Sequence, residues 1–216
     1  MRCVWDIETD GLKPSVIWCL CAIKGDKMYT LEMPTKEMVE ELFADVTEHV
    51  GHNLINYDIP AVEKLLDVSI NGKISDTLVM SRLYNPQLEG GHSLDAWGQR
   101  LNFPKGEYYD WSALTPEMVV YCQQDVRVTE RVYEVLMQDL GQFGTDSIDL
   151  EHDVQCAISK QIQNGWLLDE RKATDLVAEL QEKQFDLEQE VHSRFKPLPT
   201  FVKEVSPKIK KDGSLS

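Results

Sequence analysis

Cys3-Val4-Trp5-Asp6-Ile7-Glu8-Thr9 opens the chain with an apolar, β-prone run interrupted by two acids. Residues 3–7 read as a short buried strand. Asp6 and Glu8 lie two apart, so on a strand both side chains leave the same face. Two carboxylates in a dry setting repel each other and are costly unless a cation sits between them. Mg²⁺ or Mn²⁺ suits such a pair, because hard cations take oxygen ligands. The plain alternative is a strand end carrying two solvated acids, and the pair alone does not decide between them.

Working outward, residues 16–23 read as a second strand, Gly25-Asp26 as a turn and 27–31 as a third strand, which makes a hairpin. Pro34-Thr35 opens a helix to about Thr47, and 49–54 is a candidate strand. Asp58 sits at an N-cap position, with Pro60 just inside a helix that runs to about Leu66. Asp76 caps a helix through Leu83, and Ser93 caps one ending near Leu101. Residues 102–114 hold Pro, Gly and four aromatics (Phe103, Tyr108, Tyr109, Trp111), and read as a folded loop. Thr115-Pro116-Glu117 starts a helix to about Leu140, ended by Gly141. Strands first, then helices mixed with strands, predict an α/β layer architecture.

A domain boundary is expected at the polar, glycine-containing stretch 142–147, dividing the chain into 1–145 and 146–216. Beyond it, Val154, Ala157, Ile158, Gln161 and Ile162 form one helical stripe, closed by Asn164-Gly165. Asp169 caps a long helix with Ala173, Leu176, Val177, Leu180, Leu187 and Val191 along one face, and a stripe like this needs a partner. From Lys196 on, five Lys against Glu204 and Asp212 give a basic tail, with an exposed loop expected at 210–214.

The composition excludes several classes. The 216 residues, 42% apolar and 27% charged, are ordinary globular material. There is no long apolar run for a membrane span and no signal-peptide layout, so a cytoplasmic protein is expected. The five cysteines (Cys3, Cys19, Cys21, Cys122, Cys156) contain no C-x-x-C pair. They read as reduced thiols, not as a disulfide frame or a zinc site. A net charge of -15 argues against a duplex-binding regulator, which is usually basic. It argues less against a metal nuclease, whose bound cations offset its own carboxylates locally.

Two further acids join the first pair. Asp58 ends Asn53-Leu54-Ile55-Asn56-Tyr57-Asp58 and has its N-cap reading as the plain alternative. Tyr121 and Asp125 lie four apart on a helix, hence on one face. A phenol one turn from a metal-binding carboxylate can orient a water at phosphorus. A half-buried Tyr beside a solvated Asp is the bland alternative.

Taken together and in this order, Asp6-Ile7-Glu8-Thr9, the segment 53–58 and Tyr121-Cys122-Gln123-Gln124-Asp125 resemble the three motifs of the DEDD exonuclease superfamily in its tyrosine subtype. The resemblance implies a ribonuclease-H-like mixed sheet flanked by helices, followed here by a helical appendage. It implies a 3′→5′ exonuclease with two divalent metal ions, Mg²⁺ or Mn²⁺, held by Asp6, Glu8, Asp58 and Asp125. Tyr121 would orient the attacking water. Thr9 would touch the terminal 3′-hydroxyl, Leu12 would wedge against the terminal base, and Asn53 would contact the substrate backbone. The stretches Asp76-Thr77-Leu78-Val79-Met80-Ser81-Arg82-Leu83, His92-Ser93-Leu94-Asp95-Ala96-Trp97-Gly98 and Lys105-Gly106-Glu107-Tyr108 resemble the exonuclease domain of family-A DNA polymerases of T-odd-type podoviruses. Asn164-Gly165 and Asp169 resemble the start of the polymerase module at the base of its thumb. The implied substrate is a single-stranded or frayed DNA 3′ end, in proofreading. The implied partner is a polymerase module, in cis or as a separate chain. The palm and fingers motifs are absent from this sequence, so polymerisation is not expected of it. A piece of a longer polymerase and one chain of a split enzyme are both open. Trimming of RNA 3′ ends, and an inactive fold that docks a polymerase, are the rival readings.

Overall fold

The computed structural model describes residues 1–196, 198, 200–202 and 210. The basic tail expected after Lys196, including the loop at 211–214, falls mostly outside the described residues. The chain divides into two units, Met1–Gly165 and Trp166–Ser216.

The first unit is built on a five-stranded mixed sheet. Its strands are β1 (Arg2–Thr9), β2 (Ile17–Lys24), β3 (Lys27–Glu32), β4 (Glu48–Gly51) and β5 (Lys73–Asp76), in the order β3-β2-β1-β4-β5. β1 and β2 pair antiparallel, as do β2 and β3. β4 lies parallel to β1, and β5 parallel to β4. Central β1 is covered on both sides. Cys3, Trp5 and Ile7 enter a core with Val39, Leu42 and Val62 from the helices α1 (Lys36–Phe43) and α2 (Asp58–Leu66). Val4 faces the other way, toward a core with Met118, Cys122 and Val126 from α5 (Pro116–Leu140). The period-two alternation of a strand therefore sends Asp6 and Glu8 to the α5 side. Two shorter helices, α3 (Thr77–Tyr84) and α4 (Leu94–Arg100), complete that side with Met80 and Trp97.

The α/β layering and the opening hairpin agree with the sequence reading, and Thr35, Asp76, Ser93, Thr115 and Asp169 all cap helices through their side chains. Four features differ. β5 carries only one large apolar residue, Ile74, and exists through its pairing with β4, which no local pattern announces. β4 ends at Gly51 where a strand to 54 was expected, because the chain turns sharply there: a Cβ on Gly51 would lie 2.4 Å from Leu54 Cγ, and Asn53 has φ 71°. Asp58 is not an N-cap. Tyr57 holds that position and Asp58 is the first helical residue, its Oδ1 accepting a hydrogen bond from the Ile7 backbone at 3.3 Å. Finally, α6 (Asp146–Asn164) begins two turns before its apolar stripe.

α6 belongs to the first unit, so the break falls after Gly165, not at 145/146. The buried His152 accepts a hydrogen bond from Asp76 N on Nε2 (2.7 Å) and donates from Nδ1 to Ile148 O (2.7 Å). Gln155 donates to Asn56 Oδ1 at 3.0 Å, and Ser159 reaches Ile55 O at 3.5 Å. The second unit contains α7 (Glu170–Arg194), of which no residue is buried.

Candidate metal-binding active site

The site forms at the end of β1. Asp6 and Glu8 share one face and each presents an oxygen within 4.8 Å of the other and of Cys122 Sγ from α5. Asp125 follows Cys122 by three residues on the same helix, which brings it to the same edge. Asp58 enters from the first turn of α2, where the positive end of the helix dipole favours a carboxylate. Four acids from three separate parts of the sequence thus converge. Glu8, Asp58 and Asp125 are buried (7%, 3% and 4% exposed), whereas Asp6 is half-buried.

The electrostatics follow from this crowding. Burial pushes the Asp6 carboxyl well above the ordinary carboxylate range, and the charges of Asp58, Glu8 and Asp125 push it further. Glu8 is raised to about 9, chiefly by burial and then by Asp125. Asp58 is raised to about 7 by burial, opposed by the hydrogen bond from Ile7. Asp125 is raised by burial, with Lys105 opposing. Repelling carboxyls in a dry site resist ionisation until a cation joins them.

One cation is already built in. Lys105 Nζ lies 2.8 Å from Asp125 Oδ2, with the lysine side chain 19% exposed. The same ammonium sits 4.7 Å from the centre of the Tyr121 ring. Asp125 Oδ1 is buried and has no hydrogen-bond partner. Unpaired buried carboxylate oxygens are costly, so this one marks a place for a ligand. Tyr121 is held by Tyr108 (rings 5.9 Å apart) and Trp111 (5.8 Å). Burial, and after it the Asp125 charge, raises its phenol to about 12.

Of the expected substrate residues, Thr9 and Leu12 line one cleft of about 350 Å³ with Glu8, Tyr57 and Trp111. Leu12 is 92% exposed at its mouth, and Thr9 is buried with its hydroxyl bonded to Tyr57. Asn53 lies apart from that cleft's lining: its backbone donates to Asp76 Oδ1 at 2.8 Å and its side chain accepts from Asn56. Sequence reasoning missed Lys105 and Tyr57 as neighbours of the acids. Lys105 is the one basic residue in the aromatic loop 102–114, a signal without a position until that loop folds over α5. Tyr57 is fixed by a hydrogen bond from its hydroxyl to Gly11 O, 46 residues away.

No family model matches the chain. In sequence it is 26% identical to a DNA-directed DNA polymerase of Escherichia phage T7, over an alignment of 292 positions that takes in 95% of this chain and 42% of that protein. It is 28% identical to a DNA-directed DNA polymerase of Enterobacteria phage T3, over 64% of this chain and 28% of that protein. The chain thus spans less than half the length of the curated relatives it matches. In structure it is similar to Brucella melitensis NrnC, solved bound to pGG, with a TM-score of 0.62 at 19% identity over 76% of this chain and 86% of that one. The chain is thus similar in sequence to these phage DNA polymerases, and its first unit has a ribonuclease-H-like fold.

Proposed function

We propose that the unit Met1–Gly165 is a metal-dependent 3′→5′ exonuclease that removes nucleoside monophosphates from DNA 3′ ends, with proofreading in DNA replication as its role. The observation that carries this reading is the convergence of Asp6, Glu8, Asp58 and Asp125, with one buried Asp125 oxygen left without a partner. The donor set is all hard oxygen, which fits Mg²⁺ or Mn²⁺. Asp6, Glu8 and Asp125 would hold one ion, and Asp6 with Asp58 a second. Bound there, the ions would neutralise charge on an in-line displacement at phosphorus.

The chain's own groups do the rest. Tyr121, protonated at neutral pH, orients the attacking water by hydrogen bonding and does not act as its base. Lys105 holds Asp125 in place and limits the negative charge that a phosphate backbone meets on entering. Leu12 and Trp111 offer apolar surface on which a terminal base can rest, and the Thr9 backbone would touch the terminal 3′-hydroxyl. Asn53 would contact the substrate backbone. A paired terminus must melt before its last nucleotides enter such a cleft, and a mismatched one has already lost part of that stacking. Preference for frayed ends follows from the difference.

Asn164-Gly165 and Asp169 resemble the beginning of a family-A polymerase module, and the apolar face of α7 supports a polymerase partner in cis or as a separate chain. The test is a time course on 5′-labelled oligonucleotides with single-stranded, mismatched and paired 3′ ends, beside a matched RNA. Stepwise shortening in Mg²⁺ or Mn²⁺, fastest on frayed DNA, is expected. Equal or faster loss of RNA would contradict the DNA assignment, and no shortening with either ion would contradict the nuclease reading.

A further inference from the structure

Directly behind the carboxylates lies a second set of metal-ligating groups that the nuclease chemistry does not use. Antiparallel pairing sets Cys21 opposite Asp6 and Cys19 opposite Glu8, so both thiols share the carboxylates' face of the sheet. Cys122 of α5 closes over them. The three Sγ atoms lie within 4.8 Å of one another, and all three residues are 0% exposed. A zinc–sulfur bond of about 2.3 Å in tetrahedral geometry puts sulfurs roughly 3.8 Å apart, so small side-chain rotations would close the set on one ion.

We propose that Cys19, Cys21 and Cys122 bind a thiophilic d¹⁰ cation, Zn²⁺ in the first instance, against the Asp6–Glu8 pair. Cys122 is the hinge between the two sets: its Sγ is 3.6 Å from Asp6 O and 3.9 Å from Asp6 Oδ2, and it also forms a compact group with an oxygen of Asp6 and one of Glu8. A carboxylate oxygen of Asp6 therefore stands ready as the fourth ligand. On binding, each thiol gives its proton to solvent as its bond to the ion forms. Soft sulfur selects Zn²⁺, Cd²⁺ or Cu⁺ over Mg²⁺, so the two sets discriminate by ligand type. A soft cation in the thiol set draws Asp6 or Glu8 away from the hard-metal site. This antagonism rests on the proposed nuclease reading, whereas the binding itself does not.

Core packing alone would make the trio inert, and the two outcomes separate cleanly. The full chain, reduced and stripped of metal, is titrated with Cd²⁺ while the ultraviolet sulfur-to-cadmium charge-transfer band is followed. One equivalent should saturate the band. Cys122→Ser and Cys19→Ser should abolish it, and Cys156→Ser should keep it, with circular dichroism confirming that each variant is folded. Should the core variants not fold, cadmium NMR of the wild-type chain counts the sulfurs on the ion: three are expected, and fewer overturn the proposal. Absence of the band in the folded wild type, or its survival in Cys122→Ser, also overturns it. None of these readouts uses nuclease activity, so failure here is distinct from failure of the proposed function.

Discussion

Tyr121 and the acids around it set the behaviour of the site residue by residue. With the phenol raised to about 12, Tyr121 stays a hydrogen-bonding group across the neutral range. Tyr121→Phe removes the hydroxyl but keeps the ring that packs on Tyr108 and Trp111. The turnover rate should fall roughly 10²-fold, as misplacing a reactant by about an ångström does, with little change in KM. A matching loss in both constants would point to substrate binding instead. The carboxyls give a pH signature. Glu8, raised to about 9, Asp58, raised to about 7, and Asp6 stay protonated in the folded chain at pH values where the unfolded chain has ionised them. The folded state then binds more protons than the unfolded one, so their contribution to stability is present below the ordinary carboxylate range and is lost as pH rises through their folded values. Divalent metal reverses this by pairing the ionised forms. The rise in Tm on adding Mg²⁺ should therefore grow between about pH 5 and pH 9. A rise that is flat with pH would contradict it. At this scale the sequence was partly legible. Asp6 with Glu8, and Tyr121 with Asp125, are pairs whose spacing alone places them on one face. Asp58 was misread as a cap, because the donor that engages it, Ile7 N, lies 51 residues away. Lys105 was not legible, since a loop lysine gains meaning only from the helix it folds against.

Among the elements, β1 and α6 matter most to the site. β1 was legible because a strand buried on both faces is apolar throughout, which makes its two acids conspicuous. β5 was not, because four residues with one large apolar side chain carry no periodicity. Its last residue, Asp76, is the anchor of the turn before Asp58: its carboxylate accepts from Asn53 N (2.8 Å), Ile55 N (3.1 Å) and Leu78 N (2.9 Å). His152 of α6 holds Asp76 in turn through its backbone N–H. His152→Ala leaves that buried donor unpaired, which should cost about 1–3 kcal/mol in denaturant unfolding. A loss near zero would show that α6 is only draped over the sheet.

For the whole molecule, the division after Gly165 has a direct consequence. Residues 1–165 should unfold in one cooperative transition and keep the metal-dependent nuclease activity. Residues 1–145, which lack α6, should melt lower and lose activity, because His152, Gln155 and Ser159 no longer pin the turn behind Asp58. Equal melting of the two fragments would place the boundary at 145 after all. The apolar stripe of α7 was plain in the sequence, whereas the membership of α6 was not, since only tertiary hydrogen bonds assign it. The strongly acidic chain, at -15, also fits a protein that meets DNA through a few nucleotides and bound cations and not through a broad basic face.

The central claim, that Asp6, Glu8, Asp58 and Asp125 form a divalent-metal site that cleaves at a 3′ end, is tested most directly by comparing the wild-type chain with the Asp6→Ala/Glu8→Ala variant on a labelled single-stranded DNA, in Mg²⁺ and in chelator. Shortening from the 3′ end that requires the ion, and falls at least about 10³-fold in the folded variant, is the predicted result, since about 4 kcal/mol of barrier lowering is a modest share for such a site. Shortening that persists in chelator or in the variant would place the chemistry elsewhere and contradict the account.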